Sequence, residues 1–176
     1  MNLYIVRHGI TNSNINNVFN GHYDEDLNKI GITQIENLIN DINNLNLDLI
    51  ICSPLLRAKH TAKILSNEKL PIIVDNRLIE RNMGELTQKE KTVVDKRLWN
   101  YYENLKFKDL ENFQDICSRV NSLLEEIKEN YKEKNILLVT HAFITRVIDI
   151  YFNGIPQNGD LRKCGLKNGE IKKYKI

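Results

Sequence analysis

Short apolar runs and longer amphipathic stretches alternate along this chain. Residues 3–6 (LYIV), 48–52 (DLIIC), 71–74 (PIIV) and 135–140 (NILLVT) each read as a strand, the first as a buried one bounded by charge. Between them the apolar period lengthens. Over residues 28–44, Ile32, Ile35, Leu38, Ile39 and Ile42 recur at helical spacing, and Asn28 is placed to cap the first turn. Ser53-Pro54 predicts another helix start, with Ser53 as cap and Pro54 in the first turn. Residues 86–110, charged and aromatic, also read as helical. From 111 to 131, Phe113, Ile116, Val120, Leu123, Leu124 and Ile127 form one apolar stripe, and a further helix is predicted from His141 to about residue 152. After Gly154 the pattern predicts a final hairpin turning at Lys167-Asn168-Gly169-Glu170.

Apolar strands alternating with helices predict an α/β fold, a three-layer αβα sandwich with a mostly parallel central sheet. No repeat or Gly/Ser/Pro-rich linker divides the chain, so residues 1–176 are expected to form a single domain. In such sheets ligands bind at the carboxyl ends of the strands, which is where the chemistry should be sought.

Composition narrows the possible partners. A net charge of +2 gives no basic face for nucleic acid, and the C-terminal Lys167, Lys172, Lys173 and Lys175 read as a solvated strand edge. No apolar run approaches the ~20 residues needed to span a membrane, and MNLYIVRHG reaches Arg7 too early for a signal peptide. Cys52, Cys117 and Cys164 are scattered without CxxC spacing, which argues against disulfides or zinc and for a cytoplasmic setting. The abundant asparagines lie inside segments that keep their periodicity, so they read as codon bias.

Several reactive side chains fall at predicted strand ends. His8 follows LYIV, His141 follows ILLVT, Arg7 adjoins His8, Arg57 lies one turn into the helix after DLIIC, and Glu80 follows the third strand. Phosphoryl transfer needs such a set: a nucleophile, positive charge on the equatorial oxygens, and a proton for the leaving group. Neutral imidazole can attack near neutral pH, and arginine offers paired donors to phosphate oxygens. Cys52 with Arg57 has four intervening residues where a cysteine-dependent phosphatase loop needs five, so Cys52 reads as a buried strand end. His60 reads as an exposed helix residue and His22 as a rim residue.

RHGITNSN (residues 7–14) matches the R-H-G-x-T-x-x-N signature of the histidine phosphatase superfamily, also called phosphoglycerate mutase-like. GHYDEDLNKIGITQ (21–34), SPLLRAKHTA (53–62), LIERNMGELT (78–87), ENFQDICSRV (111–120) and LLVTHAFITRV (137–147) resemble its other segments, in the family's order and over nearly the whole chain. The resemblance implies that His8 attacks phosphorus and becomes phosphohistidine. It implies that Arg7, Arg57 and His141 surround the phosphoryl oxygens, that Asn14 adds a neutral donor and that Glu80 protonates the leaving oxygen. Gly9, Thr11 and Ala142 join the expected phosphate-binding set, Gly9 by letting backbone and phosphate approach closely and Ala142 through its N–H at a helix start. No metal and no cofactor is expected.

The sequence departs from the family's pattern at Ala142, where glycine is usual, and at Thr87, Leu110 and Asn112, so the pocket's shape is its own. Residues 85–111, with Trp99, Tyr101, Tyr102 and Phe107, are expected to line or lid that pocket. The expected activity is hydrolysis of a small phosphorylated metabolite. Mutase-type transfer is the alternative, favoured only by Arg81 beside Glu80. A non-catalytic phospholigand-binding module is the other alternative, opposed by the retained His8 and Glu80.

Overall fold

The computed structural model describes residues 2–103 and 105–175. Five strands, β1 (Asn2–Arg7), β2 (Leu49–Cys52), β3 (Ile72–Val74), β4 (Asn135–Thr140) and β5 (Ile171–Lys175), form one sheet in the order β3-β2-β4-β1-β5. The first four run parallel and β5 lies antiparallel to β1. Side chains alternate between the faces. Leu3, Ile5, Leu49, Ile51, Ile136 and Leu138 pack into one core, beneath α5 (Phe113–Asn130) and α6 (Ala142–Asn153). The one-turn α1 (Asn12–Ile15) follows β1, and Tyr4, Val6, Ile50, Cys52, Leu137 and Val139 pack into the other core, beneath α2 (Lys29–Glu36), α3 (Ile39–Asn43) and α4 (Leu56–Ser66). The result is the expected αβα sandwich. In α5 all six residues of the predicted stripe are buried, and Asn112 caps the helix by accepting from the Gln114 N–H.

Four local expectations are corrected. The single helix over 28–44 is two, α2 and α3, although Asn28 does cap the first, accepting from the Gly31 N–H at 2.9 Å. Asn37 and Asn40 are poor interior residues, and the break still lets Ile35 and Ile42 reach the core. Helix α4 starts at Leu56 rather than at Ser53-Pro54, and its Leu56 N–H is taken by Asp24 Oδ1 at 2.7 Å, a cap from a distant loop that no local pattern reveals. The described residues of 86–110 do not form the expected helix but a coil with 3-10 turns at Gly84–Leu86, Lys91–Val93 and Lys96–Trp99. Positive φ at Gln88 (63°) and Asp109 (58°) breaks helical geometry near the two ends of the segment. Lastly, residues 167–170 do turn, with the Glu170 N–H on Lys167 O at 3.1 Å, but no hairpin forms, because β5 pairs with β1 across the whole sequence. The lysines of β5 line a sheet edge, as their alternation predicts.

Candidate active site

Because β1 and β4 are parallel neighbours with Arg7 opposite Thr140, the residues that follow them are forced together. The His8 N–H donates to Thr140 O at 3.0 Å, and the rings of His8 and His141 lie 5.1 Å apart. Arg57 comes from the first turn of α4. Its guanidinium, fully buried, donates to Tyr23 O and Gly21 O at 2.9 Å each. Glu80 follows β3 and a 3-10 turn at Asn76–Leu78, and its Oε1 accepts from the Arg81 N–H at 2.9 Å and the Phe143 N–H at 3.2 Å. The carboxylate is thereby tied to the start of α6. A cavity of about 250 Å³ opens here, with Arg7, His8, Asn14, Arg57, Glu80 and Ala142 on its wall.

His8 is 3% exposed, and its Nδ1 lies 2.8 Å from Gly9 O. A carbonyl only accepts, so Nδ1 holds the proton and the lone pair is left on Nε2. Burial, then the Arg57 and Arg7 charges, holds the His8 imidazole well below its ordinary 6.5. The same causes, with His8 itself, lower His141. Both rings are therefore neutral at neutral pH. Burial likewise lowers Arg7, to about 10, which leaves it charged.

The remaining expected residues are close by, but not all on the wall. His141 is fully buried, caps the start of α6, and places Nε2 2.6 Å from Ser53 Oγ. Ser53 was expected to cap a helix; its partner is the second histidine. Thr11 is buried and acts through Asn14: its hydroxyl accepts the Asn14 N–H while Asn14 Oδ1 accepts the Thr11 N–H. Asn14 Oδ1 also accepts from Asn168, so the amide NH₂ of Asn14 is the end left to donate. Gly9 is also required by packing: a Cβ there would meet Gly31 O and Ile35 Cγ1 at 2.8 Å. His22 is exposed, with Nε2 2.8 Å from Glu80 O, and His60 pairs with Asp26. Burial raises the Cys52 thiol to about 11, and the cysteines are free.

Sequence reasoning missed part of the wall: Phe19, Asn20, Met83, Lys91, Arg146 and Arg162. Arg146 and Met83 lay within segments already matched to the family, and Lys91 within the 85–111 stretch expected at the pocket, so these could have been found there. The others share no spacing. Of the four aromatics in residues 85–111, Trp99 lines the cavity and stacks on Phe19 at 5.8 Å, Tyr101 and Phe107 pack on the core, and Tyr102 is 65% exposed.

Four buried side-chain polar atoms among the described residues have no protein partner: Arg7 Nε, Arg57 Nε, His141 Nδ1 and Asn20 Oδ1. All belong to this constellation. Buried polar groups are normally satisfied, so a concentration of orphans marks a place built for a ligand.

The fold and this site define a phosphoryl-transfer enzyme of the α/β class, and the chain belongs to the histidine phosphatase superfamily (branch 1), whose model matches residues 3–176. The adenosylcobalamin/alpha-ribazole phosphatase of Escherichia coli (strain K12) is 29% identical over 164 residues, covering 89% of this chain and 81% of that protein. The Yersinia pestis (strain Pestoides F) protein named "Probable phosphoglycerate mutase GpmB" is 29% identical over 178 residues, covering 94% of this chain and 83% of its own. The alpha-ribazole phosphatase of Shigella flexneri superposes with a TM-score of 0.85 at 26% identity, covering 100% of this chain and 91% of that one. This chain is an enzyme of that superfamily, and hydrolysis of a phosphomonoester through a phosphohistidine fits the family. Among the described residues no helix is long and apolar enough to cross a membrane.

The buried histidines make a prediction about stability. Their folded pKa values are lowered, so below about 6.5 the unfolded chain takes up protons that the native state refuses. Stability is therefore full above that pH and falls as pH drops below it. Both histidines contribute to that fall, which should be visible between about pH 7.5 and 5.5. Urea titrations in phosphate-free buffer should show this fall, and His8→Asn/His141→Asn should flatten most of it.

Proposed function

We propose that this protein is a cytoplasmic, metal-independent phosphatase of a small phosphorylated metabolite, with His8 as its nucleophile. The single observation that carries the assignment is the His8 Nδ1–Gly9 O bond of 2.8 Å, which turns a neutral ring's Nε2 lone pair into the available nucleophile beside Arg7 and Arg57. In the first step Nε2 forms a bond to phosphorus as the bond to the leaving alcohol oxygen breaks. Glu80 gives that oxygen its proton. Arg7 and Arg57 hold the equatorial oxygens, joined by the Asn14 amide, the His141 Nδ1–H and the Ala142 N–H at the positive end of α6. In the second step water attacks phosphorus, Glu80 takes its proton, and His8 is released with inorganic phosphate.

Arg57 is the most direct test of the charge assignment. Its carbonyl partners fix the guanidinium before substrate arrives, and losing one preorganised donor commonly costs about 10²–10³ in rate. Arg57→Ala should lower kcat/KM on p-nitrophenyl phosphate by around that factor with its circular dichroism unchanged. EDTA should not inhibit the wild type, since the arginines supply the positive charge. Near-normal activity in the variant would contradict the role.

A further inference from the structure

The backbone that carries the nucleophile is held from several sides. Its N–H groups are taken by three different elements: His8 by Thr140 O of β4, Gly9 by Thr61 Oγ1 of α4 at 3.2 Å, and Ile10 by Gln34 Oε1 of α2 at 3.2 Å. The carbonyls of Arg7, His8 and Gly9 are all reached from one place, the turn of residues 167–170 before β5. There the Gly169 N–H donates to Arg7 O at 2.9 Å. The Asn168 side-chain amide donates to His8 O at 2.9 Å and to Gly9 O at 3.3 Å. The turn is itself tied down, because Asn168 O accepts from Gln34 Nε2 at 2.7 Å.

These contacts settle a choice that an amide leaves open. An asparagine side chain has nearly the same shape either way round, so its neighbours decide which end is oxygen and which is nitrogen. Backbone carbonyls only accept, so the end of Asn168 that faces His8 O and Gly9 O is its NH₂. The same NH₂ lies 3.0 Å from Asn14, 154 residues away along the chain, which must therefore turn its Oδ1 toward it. The Thr11 N–H donates to that oxygen as well, at 3.1 Å. Both lone pairs of Asn14 Oδ1 are then occupied, and its NH₂ is the end left for the cavity that Asn14 lines. An NH₂ attracts phosphoryl oxygens, whereas a carbonyl oxygen in its place would repel them. Asn168 itself is half-buried and is not on the cavity wall.

We propose that Asn168 is a positioning residue for phosphoryl transfer: it takes its own orientation from the fixed carbonyls of His8 and Gly9 and sets the Asn14 amide so that it donates to the phosphoryl group. The proposal rests on the phosphatase reading above, which gives Asn14 that donor role. Water can replace Asn168 at the two carbonyls, because the turn is partly exposed. Water both donates and accepts, however, so it cannot hold Asn14 one way round. The influence of Asn168 on the reaction therefore passes through Asn14.

A double-mutant cycle on p-nitrophenyl phosphate tests this. Asn168→Ala should lower kcat/KM about 3- to 10-fold, the scale of one neutral hydrogen bond. Asn168→Asp keeps the shape but carries only acceptors when ionised. It should draw the Asn14 NH₂ toward itself and lose more, about 10²-fold, although a side chain needed only to fill space would make the alanine variant the worse one. In an Asn14→Ala background, Asn168→Ala should cost less than about 1.5-fold further, because no amide is left to orient. Losses that multiply in the double variant overturn the proposal, and so does an Asn168→Ala enzyme as active as the wild type. The wild type gives a second measurement that needs neither variant nor turnover. In nitrogen-15-labelled protein, inorganic phosphate should shift the Asn14 side-chain NH₂ signals and move those of Asn168 much less. Asn14 signals that stay still, or Asn168 signals that move as far, overturn the proposal. A wild type that does not hydrolyse p-nitrophenyl phosphate would count against the phosphatase reading, while the phosphate titration would still decide how Asn14 is oriented.

Discussion

His8→Ala should leave no phosphoenzyme after rapid quench with labelled substrate and should reduce kcat on the order of 10⁴–10⁶-fold, the scale on which removal of a covalent nucleophile acts. The wild type should yield an acid-labile, base-stable label, as phosphohistidine is. Neither His141 nor Cys52 can take over. His141 Nε2 is engaged by Ser53 at 2.6 Å, and the Cys52 thiol, raised to about 11 by burial, sits in β2 within the core. Cys52→Ser should accordingly keep the label. A label that persists in His8→Ala would end the assignment.

Glu80→Gln should separate substrates by their leaving groups. An alkoxide departs only with a proton, whereas p-nitrophenolate is stable without one. The variant should lose about 10²–10⁴-fold on an alkyl phosphate and less than about tenfold on p-nitrophenyl phosphate. Glutamine keeps the oxygen that accepts from the Arg81 and Phe143 N–H groups, so the local structure should survive the change. Equal losses on both substrates would remove Glu80 from the role. Glu85 could not then be promoted by position, because it is exposed and accepts from the Lys108 N–H away from the cavity.

The elements that the chain's own pattern predicts correctly are those whose partner is solvent or generic core. The stripe of α5 buries as one face because any apolar surface satisfies it. The runs at 3–6, 48–52 and 135–140 become strands because apolar residues on both faces suit a sheet covered by helices. Asn28 caps α2 because its acceptor reaches an N–H only three residues away. Errors begin where the partner is remote. The start of α4 is set by Asp24, thirty-two residues earlier. Residues 86–110 have helical composition, yet their described residues form a coil that sends Lys91 and Trp99 to the cavity wall, with left-handed backbone at Gln88 and Asp109. The last strand looks like half of a hairpin until β1 offers it a longer edge.

The same division runs through the site. Residue type and placement after strands were enough to select His8, His141, Arg7, Arg57 and Glu80, because a parallel sheet brings all its carboxyl ends to one side whatever the strand order. Only the tertiary structure decided how those groups are held. It paired Ser53 with His141, packed Gly9 against Gly31 and Ile35, linked Thr11 to Asn14, and brought Lys91, Arg146 and the Phe19–Trp99 stack to the cavity wall. The physical reason is range. Strand and helix periods are set by neighbours a few residues apart, which a linear chain records. A pocket's charge balance and shape are set by side chains that meet only after the sheet has closed, and no spacing along the chain records those meetings.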